Sequence, residues 1–267
     1  MTDFSLIETM RWEPGTGIVR LRLHLARLKR SAGRLGFAGA EKAEARLADA
    51  ITEVLAPTGP GHLPLRGGDQ PGVPQLRTVD TIREASAVPI SPLEGEMPGR
   101  AEGGNTTDPT AEFSPSPLRV RLTLSPSGEI AVTTAPFTPL PETTVWRVAV
   151  AAARLDSANR LLRHKTTRRE IYEAARGEYP PAAADEVLLL NEKGEPCEGT
   201  ITSLFLDDGS GVLKTPPISC GLLAGVLRTE LICARRARVQ RLTLQDLRSG
   251  RLFMGNSLRG LIRTRLI

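Results

Sequence analysis

The chain has 267 residues, 40% hydrophobic, 24% charged and 4% aromatic, with a formal net charge of +5. That length allows one large domain or two modest ones with proper cores. So few aromatics argue against a stacking platform for nucleic acid, and the basic residues are scattered along the chain and not gathered into a binding stripe. Three cysteines without a C-x-x-C pair and three distant histidines argue against a disulfide framework and a structural zinc site. No apolar run approaches the ~20 residues that span a bilayer. The opening MTDFSLIETMRWEPG carries acids and no long apolar stretch, so the expectation is a reduced, cytoplasmic protein without a signal peptide, a membrane or a nucleic-acid partner.

Leu21, Leu25, Leu28, Ala32 and Leu35 recur at helical spacing and stop at Gly36, with His24, Arg27 and Ser31 beside that stripe. A second helix carries Leu47, Ile51, Val54 and Leu55 and ends before Pro57. From about residue 59 to 117 the chain turns rich in Pro, Gly, Glu and Ser, which reads as a solvated insertion. LRVRLTLSPSGEIAVTTAPF is a β-hairpin around Ser125–Gly128, and VWRVAVAAARL a buried strand. DEVLLLNEKGEPCEGTITSLFLDDGSGVLKT reads as strand, turn, strand, turn, strand. PPISCGLLAGVLRTELICARR enters a helix through glycines, and the C-terminal part reads as strand, short helix, strand, strand. Strands outnumber helices without a βαβ alternation, which places the chain in the α+β class.

Four segments carry candidate chemistry. In RHKTTRREIY, Thr167 and Glu170 have capping-box spacing, predicting a helix from about Thr167 that carries Arg168, Arg169 and Arg176, with Lys165 just ahead of it. A lysine buried at such a junction has the lowered pKa that Schiff-base chemistry needs; by spacing alone, a solvated basic face is the commoner case. Gly221 and Gly225 precede a helix whose first N–H groups suit a phosphate, and a plain turn fits equally well. Glu198 stands at a strand entrance, where a lone carboxylate is commonly exposed. GNSLRG, with Asn256, Ser257 and Arg259, also reads as a polar turn.

Taken in order, FSLIETMRW, HLARLKRSAGRLGF, RHKTTRREIY, DEVLLLNEKGEPCEGTITSLF, LKTPPISCGLLAGVLR and GNSLRGLI resemble the class IV aminotransferase family, the fold-type IV pyridoxal-phosphate enzymes. Within it the chain most resembles the 4-amino-4-deoxychorismate lyases of folate biosynthesis. The resemblance implies a two-domain fold like that of D-amino acid aminotransferase. Its parts are a small α/β domain, residues 1–140 with the insertion, and a larger β-rich, barrel-like domain, residues 141–267. It further implies pyridoxal 5′-phosphate on Lys165, with Glu198 at the pyridine nitrogen. Arg27 and the backbone N–H groups of Val226 and Leu227 would hold the phosphate, assisted by Asn256. Ser257 and Arg259 would face a small anionic substrate, and His24 would position Arg27 or pack. A homodimer is expected on the same ground. Branched-chain or D-amino acid transamination is the alternative on this fold, and a degenerate or basic binding protein the alternative outside it.

Overall fold

The computed structural model describes residues 4–56 and 116–267, which belong to one unit; most of the expected insertion lies outside the described residues. The strands are β1 (Leu6–Glu13), β2 (Gly17–Ile18), β3 (Leu118–Leu124), β4 (Ile130–Pro136), β5 (Val145–Leu155), β6 (Glu186–Asn191), β7 (Pro196–Gly199), β8 (Ser203–Asp207), β9 (Leu213–Thr215), β10 (Ala237–Val239), β11 (Arg251–Asn256) and β12 (Gly260–Leu266). The helices are α1 (Leu21–Leu35), α2 (Ala43–Leu55), α3 (Glu170–Gly177), α4 (Val226–Cys233) and α5 (Leu244–Ser249).

The first sheet runs β2-β1-β3-β4, with antiparallel pairing from Leu6 opposite Leu124 to Trp12 opposite Leu118. In β1, Leu6, Met10 and Trp12 alternate inward against Leu25, Leu28 and Ala32 of α1 and Leu47 of α2, forming one core. The period-2 strand and the 3.6-residue helix each offer one apolar face, and burying the two together drives this layer pair. Helix α1 ends as expected: Gly36, at φ 74°, donates its N–H to the Ala32 carbonyl, a left-handed stop that glycine adopts without a Cβ penalty.

The second sheet has the order β10-β9-β8-β11-β12-β5-β6-β7, and β7 pairs back with β8. That last pairing closes β8, β11, β12, β5, β6 and β7 into a barrel, in agreement with the expected fold. Every residue of β6 is buried, as in a strand covered on both faces. The segment expected to hold three strands holds four, because the chain breaks at Thr200–Thr202 between β7 and β8. Buried Glu186 imposes the break. Its carboxylate accepts from the Thr200 N–H (3.1 Å) and hydroxyl (2.5 Å), the Ile201 N–H (3.2 Å) and the Thr202 hydroxyl (2.8 Å).

A second departure concerns the basic segment. Helix α3 begins at Glu170 and not at Thr167, and its N-cap residue, Arg169, makes no side-chain cap. Thr167 is drawn away by Ser5, the residue before β1: its N–H donates to the Ser5 carbonyl (2.9 Å) and its hydroxyl accepts from the Ser5 N–H (3.0 Å). Arg168 and Arg169 therefore precede the helix, and only Arg176 lies on it. No helix among the described residues is long and apolar enough to cross a membrane.

Candidate active site

Residues 165–167 run antiparallel to the start of β1, with Leu6 bridged to Thr166 and the Ile7 N–H donating to the Lys165 carbonyl at 2.9 Å. Lys165 is thus fixed on an extended segment, as expected, between a barrel strand and the first sheet. Its neighbour His164 bonds through Nδ1 to the Ser31 hydroxyl of α1 at 2.9 Å, a second tether. The lysine opens on a cavity of about 640 Å³. Burial, Arg27 and Arg169 bring its pKa down to about 8, so an appreciable fraction of the amine is neutral near physiological pH.

The cavity gathers the other expected residues from five elements of the fold. His24 and Arg27 come from α1, Glu198 from β7, Val226 from α4, Asn256 from the end of β11, and Ser257 and Arg259 from the turn that follows. Leu227 does not line it. Its side chain packs with Phe205, Leu231 and Ala237, and only its main chain stands at the helix start. The first helical hydrogen bond of α4 runs from the Thr229 N–H to the Gly225 carbonyl (2.8 Å), so residues 226–228 have no helical acceptor for their N–H groups. A Cβ on Gly225 would lie 2.5 Å from the Ser203 hydroxyl, so any larger residue here requires that hydroxyl to shift.

Arg27 is held by Glu8, a residue not singled out from the sequence, and His24 shares that carboxylate. Glu8 takes the Arg27 Nε on Oε1 (2.8 Å) and Nη2 on Oε2 (2.5 Å), a bidentate pair buried on both sides. Burial raises the Glu8 pKa, and Arg27 and His24 more than offset it, leaving the value at about 2. His24 joins the same carboxylate, Nδ1 to Oε2 at 2.6 Å, and reaches Ser257 with its other nitrogen at 2.8 Å. The remaining guanidinium nitrogen, Nη1, has only a long contact to the Ala224 carbonyl (3.4 Å). It is the part of Arg27 available to an anion near α4.

Glu198 is buried, unlike the common run of lone carboxylates at strand entrances. Its Oε1 accepts from the Tyr172 hydroxyl (2.7 Å) and the Leu223 N–H (3.2 Å). Burial raises its pKa to about 7 because those donors are neutral and only partly compensate. Burial and Glu198 together push the Tyr172 phenol well up, so it stays a donor. Asn256 spends its side chain on shape: Nδ2 donates to the Ile201 carbonyl (3.1 Å) and Oδ1 accepts from the Leu258 (3.1 Å) and Arg259 (2.9 Å) N–H groups. Exposed Arg119 and Arg121 of β3 join Arg259 in the cavity lining, and sequence reasoning had assigned them only to a hairpin. Among the described residues no group of His, Cys, Asp or Glu is arranged to hold a metal ion.

The arrangement has the parts of a site for a carbonyl-bearing anion. It joins a half-buried amine, an anion cradle built from Arg27 and a helix start, and an acid of near-neutral pKa elsewhere on the wall. Comparison with known proteins bears on it. The family described as amino-transferase class IV matches residues 105–267. No curated protein matches the sequence. Among solved structures, a protein from Mesorhizobium loti, provisionally assigned as an amino-acid aminotransferase, is 40% identical with a TM-score of 0.74, over 99% of this chain and 100% of that one. The 4-amino-4-deoxychorismate lyase from Pseudomonas aeruginosa is 19% identical with a TM-score of 0.63, over 98% and 82% of the two chains. A branched-chain amino acid aminotransferase from T.th., solved with N-(5′-phosphopyridoxyl)-L-glutamate, is 17% identical with a TM-score of 0.65, over 98% and 76%. At such identities the last two share the fold alone.

Proposed function

The chain belongs to the class IV aminotransferase family and is an enzyme of the pyridoxal-phosphate-dependent type, and from that premise we propose that it is a lyase converting 4-amino-4-deoxychorismate into 4-aminobenzoate and pyruvate. The observation that carries the reading is one cavity lined by Lys165, Glu198, Arg27, Val226, Asn256, Ser257 and Arg259. These residues fit the cofactor. Lys165, half-buried and partly neutral, is the amine suited to its aldehyde. Both hydrogen bonds on Glu198 fall on Oε1, so Oε2 is left for the pyridine nitrogen. Arg27 Nη1 and the N–H groups at the start of α4 suit its phosphate. When bound, the cofactor supplies an electron sink for the carbon that carries the substrate nitrogen.

The chain's own residues account for the rest. Arg119, Arg121 and Arg259 give the cavity a cationic mouth, which suits a substrate bearing two carboxylates. Arg259 is half-buried beside Arg119, and burial and that neighbour lower its pKa; a carboxylate between the two arginines relieves their repulsion. Neutral Lys165 Nζ takes the ring proton from the nitrogen-bearing carbon. As the ring becomes aromatic the C–O bond to the enolpyruvyl group breaks, its electron pair leaves with oxygen, and the proton ends on the methylene carbon of the departing pyruvate. The Glu8 pair holds Arg27 in place throughout, and Tyr172 holds Glu198.

One observation favours a second reading, amino-acid transamination: the 40% identity to the Mesorhizobium loti protein. Incubation of the cofactor-loaded enzyme with 4-amino-4-deoxychorismate, without any keto acid, separates the two. Sustained release of equal amounts of pyruvate and 4-aminobenzoate supports the lyase. Turnover that requires a keto acid and shows ping-pong kinetics overturns it in favour of the transaminase.

A further inference from the structure

Glu8, His24 and Ser257 form a line of hydrogen bonds in the cavity wall: Glu8 Oε2 to His24 Nδ1, 2.6 Å, and His24 Nε2 to the Ser257 Oγ, 2.8 Å. All three are buried, and His24 and Ser257 line the cavity. The direction of each bond follows from Glu8. Ionised beside Arg27, it can only accept, so His24 donates through Nδ1–H. A neutral imidazole then has an acceptor at Nε2, and Ser257 gives it the single hydroxyl hydrogen. In that state Ser257 turns only lone pairs to the cavity, an unfavourable neighbour for the anion that Arg27 attracts.

We propose that an anionic oxygen bound beside Ser257 brings a proton into the wall: His24 becomes imidazolium, its Nε2–H donates to Ser257 Oγ, and the freed hydroxyl donates to the anion. The proton comes from solvent and returns there on release, so no bond to the ligand is made or broken. Charged groups face this line from each side. They are Glu8 on β1, Arg27 on the same helix, Lys165 ahead of α3 and, behind Ser257, Arg20, which donates to the Ser257 carbonyl (3.3 Å) and pairs with Glu230 of α4 (2.7 Å). Burial, and then Arg27 and Lys165, hold the free His24 below its usual pKa against the pull of Glu8. A bound anion supplies the missing counter-charge and reverses the balance. The proposal rests on the anion-binding part of the function above and not on the reaction. The anion is a cofactor phosphate or a substrate carboxylate, which present the same oxygen chemistry.

The chain's three histidines make a direct test practical. In cofactor-free protein labelled with ¹⁵N-histidine, two-bond ¹H–¹⁵N correlations report the tautomer and charge of each ring. The probes are sulfate and benzoate, neither of which titrates near neutral pH, at constant ionic strength set with chloride. The expected result is a neutral, Nδ1–H His24 at pH 7 without a probe. A saturating probe raises its titration midpoint by about one pH unit or more, and Ser257→Ala reduces that rise to less than about half. A rise with sulfate alone assigns the phosphate; a rise with benzoate alone assigns the carboxylate. An unchanged midpoint with both probes overturns the proposal, as does an equal rise in Ser257→Ala. Failure here with covalent cofactor capture intact condemns only this inference. A normal rise in protein that never captures the cofactor condemns the proposed function instead.

Discussion

Glu8 and Glu198 are buried carboxylates in two different regions around one cavity, Glu8 on the four-stranded sheet and Glu198 on the barrel. Burial raises both, yet Glu8 ends at about 2 and Glu198 at about 7. The difference lies in the partners. Glu8 meets a guanidinium in a two-point fork, whereas Glu198 meets a phenol and one backbone N–H. A permanent charge at hydrogen-bond distance outweighs desolvation; neutral donors only reduce it. One region thereby holds a fixed anion whose task is to aim Arg27. The other holds an acid whose hydrogen-bond donors, a phenol and a backbone N–H, are both neutral.

The strongest way to probe this contrast is through Lys165, whose charge acts on both carboxylates. Lys165→Ala is expected to lower turnover by at least ~10³ while the fold persists, checked by steady-state assay and circular dichroism. In the unmodified enzyme, covalent capture of the cofactor needs the neutral amine. Its rate should rise with pH through about 8 and then level, which stopped-flow absorbance measures.

Breaking the first region costs more stability than breaking the second. Glu8→Gln leaves Arg27 buried without its counter-ion and is expected to cost about 3–5 kcal/mol in urea denaturation at pH 7. Glu8 lies below its unfolded pKa of 4.5, so its stabilisation is full above that pH and is lost as pH falls from 4.5 through about 2. Glu198 has the opposite sign. Raised to about 7, it contributes stability below pH 4.5 that is lost as pH rises through 7 in the cofactor-free protein. Glu198→Gln should remove that decline, a difference of about 1–3 kcal/mol by pH 8, while weakening activity. Guanidinium melts at a series of pH values test it. The smallest effect concerns the helix approach between the two regions. Gly225→Ala forces a Cβ against the Ser203 hydroxyl and is expected to cost about 1–2 kcal/mol, with a matching loss in affinity for phosphate in calorimetry.

Much of this architecture is legible in the residues. The apolar stripe from Leu21 to Leu35 with its glycine stop, the hairpin around Ser125–Gly128 and the long strand from Val145 each stand in the structure, because local pattern and tertiary packing agree there. The start of α3 was not legible, since the pairing of Thr167 with Ser5 spans 162 residues and competes with the capping box. Glu186 bends the β7–β8 turn for the same reason: its partners lie 14 to 16 residues away and carry no periodic signal. Glu8 is the instructive omission. It occupies an inward position between Leu6 and Met10 of an alternating strand, and a carboxylate in an apolar row requires a buried partner. That signal was present in LIETMRWE; only the identity of the partner, Arg27, needed the fold.

The central claim is that Lys165 is the amine that captures the cofactor. Its most direct test is to mix the purified protein with pyridoxal 5′-phosphate, record the near-visible absorption before and after borohydride, and map the modified peptide by mass spectrometry. The account predicts a band that borohydride bleaches and a mass increment on Lys165, absent in Lys165→Ala. A saturating mixture with no such band, or an increment on another lysine, would contradict it.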